Sequence, residues 1–179
     1  MPNIRTMVVV RKSETPEEEN HRSLKTLARA IELSRGEFSL IIVCCNLREK
    51  QGEIKQKLKD LSSIKPEELI LEKTAKTLLS TIVTKLDDRQ PEVLFVSGLE
   101  SLEKLEELLT ASNIVRNQFR EKLHFPLILW VTEEVQQKLI KLAPDFYSWA
   151  AVTIKFRYKR SHPSKQQTNS DDEGKKLVG

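Results

Sequence analysis

Apolar residues occur along this chain in two kinds of segment, short continuous runs typical of buried strands and longer stretches with the spacing of one helix face. Short, almost uninterrupted apolar runs occur at residues 39–44, 93–96 and 127–131, as in strands that are covered on both faces. Longer segments, such as 74–87 and 101–123, carry apolar residues at the spacing of one helix face. This alternation predicts an α/β fold, a three-layer sandwich with a mostly parallel five-stranded sheet between two helix layers.

Capping and helix-breaking residues set the boundaries of the predicted elements. The segment Thr15-Pro16-Glu17-Glu18 is a strong helix start, with an N-cap threonine, a proline at the first helical position and a glutamate three residues after the cap. Gly36 ends this helix, and Pro66 and Pro144 mark later breaks. The remaining predicted elements are strand 38–45, helix 47–61, strand 68–72, helix 74–87, strand 93–96, helix 101–123, strand 127–131, helix 133–142, a turn with Phe146 and Trp149, and strand 151–156.

The two ends of the chain differ in composition from its middle. Residues 1–14 are expected to form an N-terminal arm or an edge strand, because residues 4–12 include a short β-branched run. Residues 159–179 are polar and have no apolar period, which predicts a disordered tail. The α/β domain is therefore placed at residues 15–158.

The net charge of +4 is concentrated at the C-terminal end of the sequence. From Lys155 onward there are seven Lys or Arg residues and three acidic ones, which leaves 23 of each sign in residues 1–154. The folded part is therefore expected to be neutral, and the basic pI says little about its partners.

Composition also limits the class of protein. A hydrophobic content of 39% and a charged content of 31% are typical of a soluble, helix-rich globular protein. No apolar run approaches the ~18 residues of a membrane span, and the N-terminal apolar stretch is too short for a secretion signal, so we expect a cytoplasmic protein without a membrane partner. Cys44 and Cys45 are adjacent on a predicted strand and lack His or Cys partners at metal-ligand spacing, which favours reduced core thiols and no metal.

Three stretches carry a more specific pattern, residues 36–46, 91–100 and 109–149. The last stretch is the most specific, with Asn113, Arg116, Phe119, Arg120, Pro126-Leu-Ile-Leu-Trp130, Ala143-Pro144-Asp145-Phe146 and Trp149. These stretches resemble a domain of bacterial, notably cyanobacterial, multidomain proteins that carry tetratricopeptide or WD repeats. The pattern is similar to the core of the AAA/STAND class of P-loop NTPases, which serve in signalling and defence.

The resemblance implies a particular strand order and a particular set of site positions. Strand 39–44 would lead into the Walker A loop, strand 93–96 would carry the Walker B acid, and strand 127–131 would be the sensor strand. The implied sheet order is 69–72, 93–96, 127–131, 39–44, 152–156. A flavodoxin-like order would instead place 69–72 directly against 39–44.

This chain departs from the family at both phosphate-binding motifs. Residues 46–53 contain one glycine, no Gly-Lys-Ser/Thr and a pair of glutamates that would repel a phosphate. Glu100 lies a few residues later than a Walker B acid would. The resemblance thus implies a degenerate relative without hydrolysis, and no cofactor is expected. Asn46, Ser97 and Glu100 are candidate ligand-binding residues, because the carboxyl ends of adjacent strands bind ligands in such sheets; the alternative is a tight turn at Ser97-Gly98 followed by a helix start.

Two groups of residues are candidates for binding a partner. Asn113, Arg116 and Arg120 recur on one predicted helix, where an exposed arginine could act on a neighbour's nucleotide or clamp an acidic partner; the alternative is a solvated helix face. Aromatic residues interleave with bases in the C-terminal segment, a pattern compatible with weak, salt-sensitive nucleic-acid binding or with the exposed face of the last strand. Its candidate residues are Lys155, Arg157, Lys159 and Arg160.

From these observations we expect a protein that is not an enzyme but a non-catalytic protein-interaction or regulatory domain, derived from a signalling ATPase that has lost its phosphate loop. A nucleotide-binding or ATPase domain with a non-standard phosphate loop is the alternative. A nucleic-acid accessory protein acting through the basic C-terminal segment is a weaker one. The oligomeric state and the identity of the protein partner stay open.

Overall fold

A computed structural model of the protein describes residues 13–160. Residues 1–12, most of the predicted N-terminal arm or edge strand, and residues 161–179, most of the predicted polar tail, lie outside the described residues. The elements in chain order are α1 (Pro16–Leu33), β1 (Ser39–Cys44), α2 (Arg48–Leu61), β2 (Glu67–Ile70), α3 (Leu78–Leu86), β3 (Leu94–Ser97), a 3₁₀ turn (Leu99–Ser101), α4 (Leu105–Ile114), α5 (Arg116–Lys122), β4 (Pro126–Val131), α6 (Glu133–Leu142), α7 (Pro144–Ser148) and β5 (Ala150–Lys155).

The five strands form one sheet in the order β2-β3-β4-β1-β5, and every neighbouring pair is parallel. In the centre of the sheet, Ile41 of β1 lies opposite Ile128 of β4. The order implied by the P-loop resemblance is therefore confirmed, and the fold is P-loop NTPase-like. Strand β2 pairs with β3 and not with β1, which excludes the flavodoxin-like order.

Helices cover both faces of the sheet, as the apolar strands predict. One core lies beneath α1 and α2 and includes Leu27, Ile54 and Trp130; the other lies beneath α3 to α7 and includes Leu79 and Phe119. Side chains of a strand alternate between faces, so neighbouring residues of β1 contribute to different cores. Among the described helices, none combines the length and the apolar character needed to cross a membrane.

The two cysteines are buried in opposite cores, Cys44 beneath the α3–α7 layer and Cys45 beneath α1 and α2. Both are free thiols, as the sequence predicts. Burial raises the pKa of Cys44 to about 11, and burial also raises the pKa of Cys45. Such thiols are protonated at neutral pH and are poor nucleophiles.

The boundaries of the predicted helices need three corrections. The predicted helix 101–123 is wrong as a single helix, because it consists of the 3₁₀ turn, α4 and α5. The Arg116 guanidinium donates to the backbone oxygen of Asn113 at 2.8 Å, and this carbonyl lies in the last turn of α4. At the other end, the Glu103 backbone N–H donates to the Lys73 carbonyl at 3.0 Å, which ties the chain before α4 to the segment that follows β2.

The other two corrections concern shorter segments. Helix 74–87 begins only at Leu78, because Thr77 has an extended backbone. The turn predicted around Phe146 contains the five-residue helix α7, which begins with Pro144. Proline suits this position because its fixed backbone angle fits a first helical turn and its missing N–H would be unpaired there.

Candidate functional site

The connection from β1 to α2 is too short to hold a phosphate in the manner of a P-loop. Strand β1 ends at Cys44 and α2 begins at Arg48, so only residues 45–47 are non-helical. A phosphate loop needs a longer glycine-rich segment whose N–H groups wrap the ligand. Most of residues 46–53, the position at which a P-loop NTPase would carry its phosphate loop, instead forms the start of α2.

Asn46 contacts the start of the next helix in space. Its Oδ1 accepts a hydrogen bond of 2.8 Å from the Glu133 backbone N–H, at the first position of α6. The N-cap Thr132 adds a second bond, since its Oγ1 accepts from the Val135 N–H at 3.2 Å. Asn46 therefore links the carboxyl end of β1 to the helix that follows β4, and helps to cap that helix.

Ser97 and Gly98 form a tight turn at the end of β3. Ser97 is buried, and its carbonyl accepts from the Leu71 N–H at 2.9 Å. Gly98 has a φ of +93°, and a Cβ at this position would lie 3.1 Å from the Leu71 carbonyl oxygen. This turn lies at the end of β3, the position at which a P-loop NTPase would carry its Walker B acid.

Glu100 lies within the 3₁₀ turn after Gly98 and faces the start of α2. Its Oε1 is 4.0 Å from the Arg48 Nε, and its side chain is 23% exposed, whereas the Arg48 side chain is 60% exposed. Pairs of this exposure contribute about 0–1 kcal/mol to stability. The pair nevertheless places a carboxylate and its counter-ion between the ends of β1 and β3, where a nucleotide phosphate would need cationic groups.

Gly52 provides a direct test of whether this region needs a flexible backbone. It lies inside α2, is exposed, and would accept a Cβ without any heavy atom within 4 Å. Glycine in a helix interior is less stable than alanine by roughly 0.5–1 kcal/mol. We expect Gly52→Ala to stabilise the protein by about that amount in urea denaturation; a loss of stability would show that this glycine is needed for a non-helical backbone.

The candidate residues Asn113, Arg116 and Arg120 lie together against α7. Asn113 Oδ1 accepts from the Phe146 N–H at 3.0 Å, and its Nδ2 donates to Asp145 Oδ2 at 3.4 Å. The Arg116 guanidinium is 3.9 Å from the same Asp145 oxygen. Asn113 thus supplies the N-terminal cap of α7 from another helix, because the residue at the N-cap position of α7 is an alanine.

Arg120 stacks on Trp149 at the surface. The guanidinium carbon lies 4.3 Å from the ring centroid, and the indole is half-buried. Trp130 and Phe146 are fully buried, as expected for core residues, whereas Trp149 is only partly covered. The contacts of Asn113 with Asp145 and Phe146 join residues about 30 positions apart in sequence. The signal that pointed to them was the family resemblance over residues 109–149.

The basic C-terminal segment is partly neutralised by acidic side chains. Lys155 Nζ is 3.8 Å from Glu133, and Arg157 Nε is 3.5 Å from Glu19. Lys159 and Arg160 are exposed at the end of the described residues. The segment therefore does not present four free cations to a nucleic acid.

Sequence reasoning missed one buried charge, Lys55 of α2. Its Nζ donates to Glu68 of β2 at 3.0 Å and lies 5.8 Å and 5.6 Å from the ring centroids of Phe95 and Trp130. Within residues 13–160, the indole N–H of Trp130 has no hydrogen-bond partner. Lys55 faces the core from α2, but lysine at a helical position is usually exposed to solvent, so nothing in the sequence indicated that it would be buried. No cluster of potential metal ligands occurs among residues 13–160.

Comparison with known proteins leaves the family of the chain unassigned. No family model matches it, and no curated protein matches it either. Among solved structures, the ORC2 protein of Aeropyrum pernix in its ADP form is similar over 74% of this chain and 47% of that chain, with 10% sequence identity and a TM-score of 0.46. The chain thus covers less than half the length of that protein, and a similarity of this degree carries no argument about function.

Proposed function

We propose that this chain is a non-catalytic interaction domain that binds a protein partner on a P-loop NTPase-like fold. The observation that carries the proposal is the closed carboxyl edge of the sheet. The three-residue connection 45–47 runs directly into α2, Asn46 is engaged with Glu133, and Glu100 lies against Arg48. A triphosphate at this edge would have to displace both contacts and approach the carboxylates of Glu49 and Glu100.

One observation favours nucleotide binding as the second candidate function. The N-cap residue of α2, Leu47, makes no side-chain cap hydrogen bond, so the first turn of this helix keeps N–H groups that could face an anion. The acidic Glu49 in the same turn opposes that use by occupying the favourable end of the helix dipole with its own charge.

We expect no measurable binding of ATP–Mg²⁺ in isothermal titration calorimetry, and no turnover above background, because the chain has neither a glycine cradle nor a phosphate-binding lysine. The melting temperature should likewise stay constant with added ATP–Mg²⁺, since a ligand stabilises only a state that it binds. A micromolar dissociation constant that is lost in Glu100→Ala would contradict the proposal and support the second candidate.

The interaction surface that the geometry favours is the outer side of α5 and α7. The exposed Arg120 stacks there on the half-buried Trp149, and arginine and tryptophan are enriched among residues that dominate binding energy at interfaces. Ile114, at the end of the adjacent α4, is 73% exposed. At the end of α5, Arg120 and Lys122 outnumber Glu121 and leave a net positive charge, so the partner that fits is a protein with an acidic patch beside an apolar pocket.

The surface can be tested with a partner captured by the wild-type protein and then purified. We expect Arg120→Glu to weaken its binding by tenfold or more, because charge reversal would repel the acidic patch and remove the stack. Arg29→Glu, on the exposed side of α1, is the matched control and should leave the affinity unchanged. Equal affinity of both variants would place the interface elsewhere. Binding of DNA with an affinity that falls steadily as the salt concentration rises, and that depends on Lys159 and Arg160, would instead favour the nucleic-acid function.

A further inference from the structure

The two edges of the sheet differ in how the rest of the protein covers them. At the β5 edge, side chains of α1 bond to the backbone that continues the strand. Asn20 Nδ2 donates to the Arg157 carbonyl, and Asn20 Oδ1 accepts from the Arg157 N–H, both at 2.8 Å. Ser23 Oγ donates to the Lys155 carbonyl at 2.8 Å. These bonds occupy backbone groups that an added strand would need, and they therefore protect this edge.

The β2 edge has backbone groups that point outward. The N–H groups of Glu67 and Leu71 donate to carbonyls on the β3 side, at 3.0 Å and 2.9 Å. Because successive residues of a strand direct their backbone groups to opposite sides, those of Glu68 and Ile70 point away from β3. In the part of the chain that the structure describes, no other strand lies beside β2. The Ile70 side chain is 58% exposed, so this edge also offers an apolar contact to an added strand.

The charges on β2 are balanced by bases of the same chain. Charged side chains on an edge strand usually discourage another strand from pairing with it. Here the Glu67 carboxylate is 2.6 Å from the Arg89 guanidinium, and the Glu68 carboxylate is 3.0 Å from the ammonium of the buried Lys55. The strand therefore presents little net charge, and a second strand of the same sequence is not repelled as a whole.

We propose that the β2 edges of two copies of this chain pair as antiparallel strands and join the two sheets into one. Each copy contributes the same surface, so the contact has two-fold symmetry and is complete in a dimer. A second copy is the partner that fits, because the β2 edge is balanced in charge and, as shown next, complementary to itself in one register. The inference goes beyond the proposed function, since it uses neither Arg120 nor Trp149.

The positions of the glutamates select the register of this pairing. With Leu69 on the two-fold axis, Glu68 lies opposite Ile70 of the second copy, and no glutamate lies opposite another glutamate. The outward backbone groups of residues 68 and 70 then exchange hydrogen bonds on both sides of the axis. Moving the axis by one residue would place Glu68 opposite Glu68 or Glu72 of the second copy. Like charges directly opposite each other are destabilising, which favours the register centred on Leu69.

The helix layer beside β2 leaves space for the second copy. A groove of about 510 Å³ lies between β2 and α3, and α3 lines it with Ser80, Thr81 and Thr84. Glu72 and Lys85, which carry opposite charges, also line this groove. The two-fold axis would bring α3 of the second copy to the same face of the joined sheet, antiparallel to the first. Small side chains allow two helices to approach closely, so the groove suits this contact.

Sedimentation velocity of the full chain tests the proposal. We expect a reversible equilibrium between monomer and dimer that does not continue to larger species, because the symmetric contact uses up the same edge on both copies. A wild-type chain that stays monomeric at every concentration, or that forms a continuing series of larger species, would overturn the proposal.

The sign of the charge at residue 70 tests the register. Ile70→Glu would place a carboxylate opposite Glu68 on both sides of the axis, and we expect the dissociation constant of the dimer to rise about tenfold or more. Ile70→Lys is the matched control, because it removes the same exposed side chain but places a cation opposite Glu68. Its dimer should be about fivefold tighter than that of Ile70→Glu or better. Equal weakening by the two substitutions would overturn the proposed pairing.

Amide hydrogen exchange of the wild-type chain, followed by NMR, tests the same contact without a substitution. The N–H groups of Glu68 and Ile70 should exchange slowly at concentrations where the dimer forms and faster where it dissociates. The Leu71 N–H is the internal control, since it donates to the Ser97 carbonyl within each copy and should stay protected at both concentrations. Fast exchange of Glu68 and Ile70 in the dimer would place the interface elsewhere and overturn the proposal.

Discussion

Replacing Phe119 with alanine is expected to lower the free energy of unfolding by about 3–5 kcal/mol, the usual cost of deleting a buried aromatic ring. Phe119 is fully buried in α5, and its ring centroid lies 4.8 Å from that of Phe146 and 6.2 Å from that of Phe38. The ring therefore joins three separate segments of the chain, and its removal would leave a cavity between them.

Urea denaturation followed by circular dichroism would measure this change. Gln118→Ala, at the exposed neighbouring position of the same helix, controls for any effect on α5 itself and should alter stability by less than about 0.5 kcal/mol. A Phe119→Ala loss as small as that of the control would mean that the α5–α7 contact does not contribute to the folded core.

Replacing Gly98 with alanine is expected to cost about 2–3 kcal/mol, because two effects add at this residue. A left-handed backbone costs a residue with a Cβ roughly 1–2 kcal/mol. The new Cβ would also lie 3.1 Å and 3.3 Å from the Leu71 carbonyl oxygen and nitrogen, which are backbone atoms of the edge segment and cannot turn away. The substitution would therefore push β3 and the end of β2 apart.

Gly36 allows the two effects at Gly98 to be separated. It also has a positive φ, of +77°, but a Cβ there would meet nothing within 4 Å. Gly36→Ala should therefore show the conformational cost alone, about 1 kcal/mol, and the difference between the two variants should report the contact with Leu71. Equal losses in thermal and urea denaturation would show that the contact has no energetic weight.

Both substitutions test internal contacts that lie near the surfaces on which the proposed function depends. The backbone of Leu71 lies close to Gly98, at the end of β3 where a P-loop NTPase would carry its Walker B acid. The ring of Phe119 packs between α5 and α7, beneath the stack of Arg120 on Trp149. Internal contacts thus occupy the carboxyl edge of the sheet, and under the proposed function a partner would bind on the helices instead.

Several features of the protein were determined by the sequence alone. The apolar runs at residues 39–44, 93–96 and 127–131 predict buried parallel strands, because they are short and strands covered on both faces have near-continuous apolar sequences. The start of α1 is equally local: Thr15 and Glu18 exchange the two hydrogen bonds of a capping box, as their spacing predicts. The strand order was implied by the resemblance to P-loop NTPases, since the residues themselves do not specify which strands are neighbours.

The remaining features were decided by the tertiary structure, because they depend on contacts between residues far apart in the chain. The apolar stripe of residues 101–123 is continuous in sequence, yet these residues do not form one helix. The helix is interrupted near Asn113, whose carbonyl accepts a hydrogen bond from the Arg116 guanidinium, and it starts late because the Glu103 N–H donates to the Lys73 carbonyl. Asn46 looks like a loop residue and becomes a cap for α6 only because β1 and β4 are neighbours. The same holds for the sheet edges: protection by Asn20 at β5 and exposure at Ile70 of β2 exist only once the strands are ordered.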